Sequence, residues 1–103
     1  MGEATWVRTL PDLDGTRVIV CSGELDTATA GPLREALKAA ELDGVDKTVV
    51  DLASVTFADS SLLNTLVQAH RRQRLVVVGP YHPQLSRLFQ VTGTDIFFDP
   101  MRD

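Results

Sequence analysis

The chain has 103 residues, enough to bury one hydrophobic core and too few for two, so a single domain over residues 1–103 is expected. Its formal charge of −4 offers no attraction to phosphodiester backbones or anionic lipid, which sets aside direct nucleic-acid binding and membrane attachment. Cys21 is the only cysteine, so an intrachain disulfide framework is excluded. With neither a basic leader nor an apolar run of the roughly 18 residues that a span needs, a cytoplasmic protein is the expectation.

From the N-terminus, Trp6-Val7-Arg8-Thr9-Leu10 reads as a weak strand and Arg17-Val18-Ile19-Val20-Cys21 as a stronger, β-branched one. Between them Pro11-Asp12-Leu13-Asp14-Gly15 carries turn chemistry, which predicts an opening hairpin with Trp6 as a packing residue. Leu33, Ala36, Leu37 and Ala40 then recur with helical spacing, behind Thr29 as N-cap and Pro32 in the first turn. A second apolar run, Thr48-Val49-Val50-Asp51-Leu52, precedes the segment Phe57-Ala58-Asp59-Ser60-Ser61-Leu62-Leu63-Asn64-Thr65-Leu66. Here a strand-like pattern gives way to a helical one at an acid and two hydroxyls, which suit both helix capping and chemical modification.

In that helix the spacing puts Leu63, Leu66 and Val67 on the buried stripe and leaves Leu62 at its border, partly exposed. Arg71-Arg72-Gln73-Arg74 reads as a solvated helix end. Leu75-Val76-Val77-Val78 is a further strand, and a third helix opens at Pro83, buries Leu85, Leu88 and Phe89, and stops near Gly93. Ile96-Phe97-Phe98 completes the pattern as another short strand. Repeated strand–helix alternation specifies an α/β protein with a parallel or mixed sheet and right-handed crossovers.

Several kinds of chemistry lack their residues. His70, His82 and Cys21 are too scattered to form a zinc-like cluster, and each reads as a surface, cap or core residue. Asp59, Ser60 and His82 include the residue types of a hydrolase triad, but no G-x-S-x-G elbow accompanies them. Val77-Val78-Gly79-Pro80 lacks the glycine spacing of a nucleotide-binding loop. Neither an enzyme nor a cofactor is therefore expected. Glu24 and Asp26, following Gly23 at a strand end, read equally well as solvated loop acids or as part of a ligand or partner surface.

Two segments taken together carry a resemblance: Ser22-Gly23-Glu24-Leu25-Asp26 leading into Leu33-Arg34-Glu35-Ala36-Leu37, and Val50-Asp51-Leu52 leading through Phe57 to Asp59-Ser60-Ser61. Leu85-Ser86-Arg87-Leu88-Phe89 with Thr92-Gly93 extends it. The chain resembles the bacterial anti-sigma factor antagonists, the stand-alone STAS domains, from about Arg17 to Phe98. The resemblance implies a mixed sheet of four to five strands with three or four helices in a single layer. It also implies a domain without catalytic activity that binds an anti-sigma factor of the kinase-like ATPase type and so releases a sigma factor. On the same grounds Ser60 is the phosphoacceptor, whose modification by that serine kinase switches binding off and whose restoration calls for a serine phosphatase. Asp26, Thr27, Asp59, Ser61 and Leu62 are then partner-facing. Leu62 and Asn64 stand where the family usually has glycine. Wider family members serve as non-phosphorylated scaffolds or as lipid-transport subunits, the alternative reading.

Overall fold

The computed structural model describes residues 4–94. In chain order they form β1 (Trp6–Thr9), β2 (Thr16–Leu25), α1 (Gly31–Asp43), β3 (Lys47–Ala58), α2 (Ser60–Arg72), β4 (Leu75–Val78) and α3 (Pro83–Thr92). The strands make one sheet in the order β1-β2-β3-β4, with β1 antiparallel to β2 and the other two pairs parallel. A mixed α/β sheet was the expected class. The expected strand at Ile96-Phe97-Phe98 lies outside the described residues.

The opening hairpin turns where proline and Asp-Gly indicated. Leu13 and Thr16 exchange backbone hydrogen bonds of 3.0 and 2.9 Å around Asp14 (φ 51°) and Gly15 (φ 77°). Two successive left-handed residues make the turn that matches the twist of the flanking strands. Arg17 fixes this corner: its guanidinium donates to both carboxylate oxygens of Asp12 at 2.8 and 2.9 Å and to Asp43, at the end of α1, at 2.8 Å. Those hydrogen bonds hold the Asp12 carboxyl below its ordinary range. Trp6 is half-buried and packs under the Arg8 guanidinium, 4.4 Å from the ring centre.

Alternate residues of a strand share a face. Ile19 and Cys21 of β2, Val50 and Leu52 of β3, and Leu75 and Val77 of β4 all enter one core with Leu33 and Leu37 of α1, Leu62 and Leu66 of α2, and Leu85 and Phe89 of α3. The three helices therefore cover the same sheet face in a single layer. Val18, Val20, Val49, Val76 and Val78, on the other face, are half-buried. Cys21 is a core residue whose thiol is pushed up to about 12, by burial first and by Asp51 second, so it is inert at neutral pH.

The capping pattern partly departs from expectation. Thr29 does not cap α1: the N-cap is Ala30, which makes no side-chain cap bond, while the Thr29 hydroxyl is turned back toward the end of β2. The turn ahead of α1 requires that hydroxyl, and local spacing alone does not reveal the competition. Pro32 does lie in the first turn of α1. Asp59 caps α2, and His82 caps α3 by accepting the Gln84 N–H on Nδ1 at 3.2 Å.

Candidate functional site

The site is assembled by sheet register. Because β2 and β3 run parallel with Leu25 opposite Ala58, their C-terminal ends finish side by side, and the Asp59 N–H donates to the Leu25 carbonyl at 3.3 Å. The loop after β2 thus meets the start of α2 at the edge where α/β sheets usually present their ligand or partner surfaces. A register shift between Gly23 and Glu24 sets the direction of the last β2 residues. Gly23 has φ 89°, and a Cβ there would stand 2.6 Å from Thr5 Oγ1 and 2.8 Å from Thr5 Cα. Both the backbone sign and the crossing N-terminal segment demand glycine at this bulge.

Asp26 is half-buried and organises its own loop. One carboxylate oxygen accepts the N–H groups of Ala28 (2.9 Å) and Thr29 (3.0 Å) and lies 3.0 Å from the Thr29 hydroxyl. That hydroxyl accepts the Asp26 N–H at 2.9 Å and stands 2.6 Å from the Glu24 carbonyl, sharing its proton between that carbonyl and the carboxylate. Asp26 is therefore more than a solvated acid: Oδ1 builds the turn, and Oδ2 remains for other contacts. Glu24 and Thr27 are exposed.

The two serines of α2 differ sharply. Ser61 is half-buried; its N–H donates to Asp59 Oδ1 at 2.8 Å, its carbonyl accepts the Thr65 hydroxyl at 2.8 Å, and its own hydroxyl lies 2.7 Å from the Thr27 hydroxyl. The Thr27–Ser61 contact links positions thirty-four apart in sequence and ties the β2–α1 loop to the head of α2. Ser60 is exposed, and its hydroxyl has no hydrogen-bond partner among the described residues. At the positive end of a helix, this leaves one free nucleophilic hydroxyl beside one engaged hydroxyl.

Leu62 is corrected by the structure. It is 0% exposed, at the centre of the buried face and not at its border. The buried set on α2 is Leu62, Leu63, Thr65, Leu66 and Ala69. At about 100° per residue this arc centres between Leu62 and Leu66; on one flank Thr65 and Ala69 line a cleft with Leu37 and Lys38 of α1, while Val67, toward the other flank, is only half-buried. Leu62 thus cannot touch a partner directly. Asn64, the other residue standing in a glycine position, is exposed.

Two features escaped the sequence. Phe57, opposite Glu24 in the β2–β3 ladder, leaves 41% of its surface exposed, an apolar side chain two residues before Asp59. Gln84, from α3, bonds the backbone of Ala58 at both its N–H and its carbonyl. Nothing local in the sequence marks either one, since both follow from which strands are neighbours.

A family model described as Mlab, STAS domain, matches residues 10–101. The chain is 33% identical over 79 residues to the anti-sigma-B factor antagonist of Listeria monocytogenes, covering 73% of this chain and 69% of that protein. An anti-sigma factor antagonist from Mycobacterium paratuberculosis superposes with a TM-score of 0.76 at 32% identity, over 92% of this chain and 81% of that one. In fold alone the chain also matches SpoIIAA from Bacillus, solved in its phosphorylated form, with a TM-score of 0.69 at 20% identity over 90% of this chain and 88% of that one. The unphosphorylated form of SpoIIAA gives a TM-score of 0.67 at 22% identity, over 82% of each chain. The chain belongs to the STAS domain family, among the anti-sigma factor antagonists. No helix among the described residues is long and apolar enough to cross a membrane.

Proposed function

We propose that this chain is a cytoplasmic partner switch without catalytic activity. Unphosphorylated, it binds an anti-sigma factor of the kinase-like ATPase type and so releases a sigma factor; phosphorylated at Ser60, it lets that partner go. A serine phosphatase resets it, and it meets DNA only through those partners. The observation that carries the reading is the free, exposed Ser60 hydroxyl at the start of α2, beside a Ser61 hydroxyl already occupied by Thr27. The relatives named as anti-sigma factor antagonists support it, as does the existence of SpoIIAA in two phosphorylation states.

The electrostatics agree with such a switch. Exposed N–H groups and the dipole at a helix N-terminus tolerate a phosphate, so the domain itself survives modification. The phosphate nevertheless adds about −1.5 to −2 charge next to Asp59, changing what the surface offers to an acidic partner or to a bound nucleotide. Asp26, Thr27, Asp59 and Ser61 frame the contact. Leu62 supports it from below.

Incubation with a cognate serine kinase and ATP is the test, read by phosphopeptide mapping: one phosphate is expected, on Ser60 and not on Ser61. A peptide spanning Phe57 to Leu66 should be a poor substrate, because flanking leucine and aspartate provide no basic linear signal and recognition then requires the folded surface. Modification at Ser61 alone would move the role. No modification at all would favour the non-phosphorylated scaffold or the lipid-transport subunit.

Asp26→Asn probes the loop separately. An amide oxygen still accepts from Ala28 and Thr29, so the turn is retained and stability should change by only about 0.5 kcal/mol, while the lost charge weakens partner binding or phosphorylation. Thermal unfolding measured alongside partner affinity checks this. A large loss of stability with intact binding would make Asp26 a turn residue only.

A further inference from the structure

β3 is longer than the neighbour on its outer side. It runs to Ala58, whereas its pairing with β4 covers only Thr48 to Asp51. Beyond Asp51 its β4-side edge has no strand alongside among the described residues. The chain needs the last residue of that edge to be secure, because Asp59 and Ser60 follow it directly.

Ala58 is 1% exposed, so its peptide groups have no water to satisfy them. Successive residues of a strand send their N–H and C=O groups to opposite edges. The Asp59 N–H points toward β2, reaching the Leu25 carbonyl, so those of Ala58 point the other way. There the Gln84 carboxamide meets both: Oε1 accepts the Ala58 N–H at 2.9 Å, and Nε2 donates to the Ala58 carbonyl at 2.8 Å. An N–H only donates and a carbonyl only accepts, which fixes the orientation of the amide. One side chain thus makes there the two hydrogen bonds that a neighbouring strand would make.

The other end of this link is anchored. Gln84 occupies the first turn of α3, its N–H bonded to His82, and the next residue, Leu85, is fully buried in the core. Phe89, one turn further on, packs edge-on against Tyr81 with ring centres 5.1 Å apart.

From this geometry we infer that Gln84 is a positioning residue for the Ser60 switch: it clamps the end of β3 and thereby sets the backbone from which Asp59 caps α2 and Ser60 is presented. Through it α3 is tied by hydrogen bonds to the residue that precedes the α2 cap. The inference rests on the reading of Ser60 as phosphoacceptor for its functional half and on hydrogen bonding alone for its structural half.

Gln84→Met and Gln84→Glu separate the two halves. Methionine keeps length and makes neither bond. Ionised glutamate accepts the Ala58 N–H but faces the Ala58 carbonyl without a donor; once protonated it can make both bonds. In backbone NMR of the full chain, Gln84→Met should shift the amides of Ala58 through Ser61 and hasten exchange of the Ala58 N–H. Gln84→Glu should do the same near about pH 8 and return toward the wild-type pattern only as the pH is lowered below about 4, where a glutamate carboxyl protonates. With a cognate serine kinase that phosphorylates the wild-type chain, and ATP, both variants at about pH 8 should lose about tenfold or more in kcat with KM nearly unchanged, the pattern of a misplaced acceptor.

Wild-type amide shifts at residues 58–61 in both variants would overturn the inference. So would perturbed shifts with an unchanged kcat, which would make Gln84 a packing residue. If the wild-type chain takes no phosphate, the reading of Ser60 fails. The amide shifts and their reversal on acidification then still decide whether Gln84 holds the start of α2.

Discussion

Leu62→Ala should lower the unfolding free energy by about 2–5 kcal/mol, the range for truncating a fully buried leucine. Two losses add: the transfer free energy of the side chain, and the contacts of the atoms that line the hole it leaves. Leu62 packs in the same core as Leu25, Leu66 and Phe89, so little collapse is available to refill the space. Because such a domain is only marginally stable, a loss of this size removes a large share of the total and should show as a much lower denaturant midpoint with an unchanged slope. Leu62→Gly should be worse by about a further 1 kcal/mol of helix propensity. If unfolding is hardly altered and partner affinity falls instead, Leu62 belongs to the interface and the buried placement is wrong.

On the proposed partner switch, phosphorylation of Ser60 should weaken binding of the anti-sigma factor by at least about 100-fold where the phosphate meets an acidic surface or a nucleotide phosphate, since like-charge juxtaposition costs several kcal/mol and about 2.7 kcal/mol already gives that factor. Ser60→Ala should bind as the unmodified chain does and ignore the kinase. Its stability should stay within about 0.5 kcal/mol of wild type, because the side chain is exposed and Asp59 keeps its capping bond. Titration calorimetry on the unmodified chain, the phosphorylated chain and Ser60→Ala reads all of this. The difference between the first two should shrink as salt is raised if repulsion is the cause. Equal affinities for the phosphorylated and unphosphorylated chains would remove the switch.

The sequence by itself determined the order of elements. β-branched runs at Arg17–Cys21, Thr48–Leu52 and Leu75–Val78, with helical spacing between them, leave few alternatives to a parallel or mixed sheet. Proline with Asp-Gly placed the first turn, and Asp59 as cap placed the start of α2, because both signals act within a few residues of themselves. The Asp26 and Ser60 segments were visible as polar residues at strand ends, but the roles expected of them came from the family resemblance and not from the local pattern. Tertiary structure alone decided what depends on neighbours distant in the chain. The side of α2 that is buried was set by the core it packs into, which put Leu62 at the centre of the stripe and not at its border. The Thr29 hydroxyl was claimed by the turn at Asp26 and so did not cap α1. Ser61 was distinguished from Ser60 by Thr27, and the end of β3 was closed by Gln84, through contacts spanning 34 and 26 positions. Periodicity and propensity report the local chain, whereas these roles arise where register and packing bring separate segments to hydrogen-bond distance.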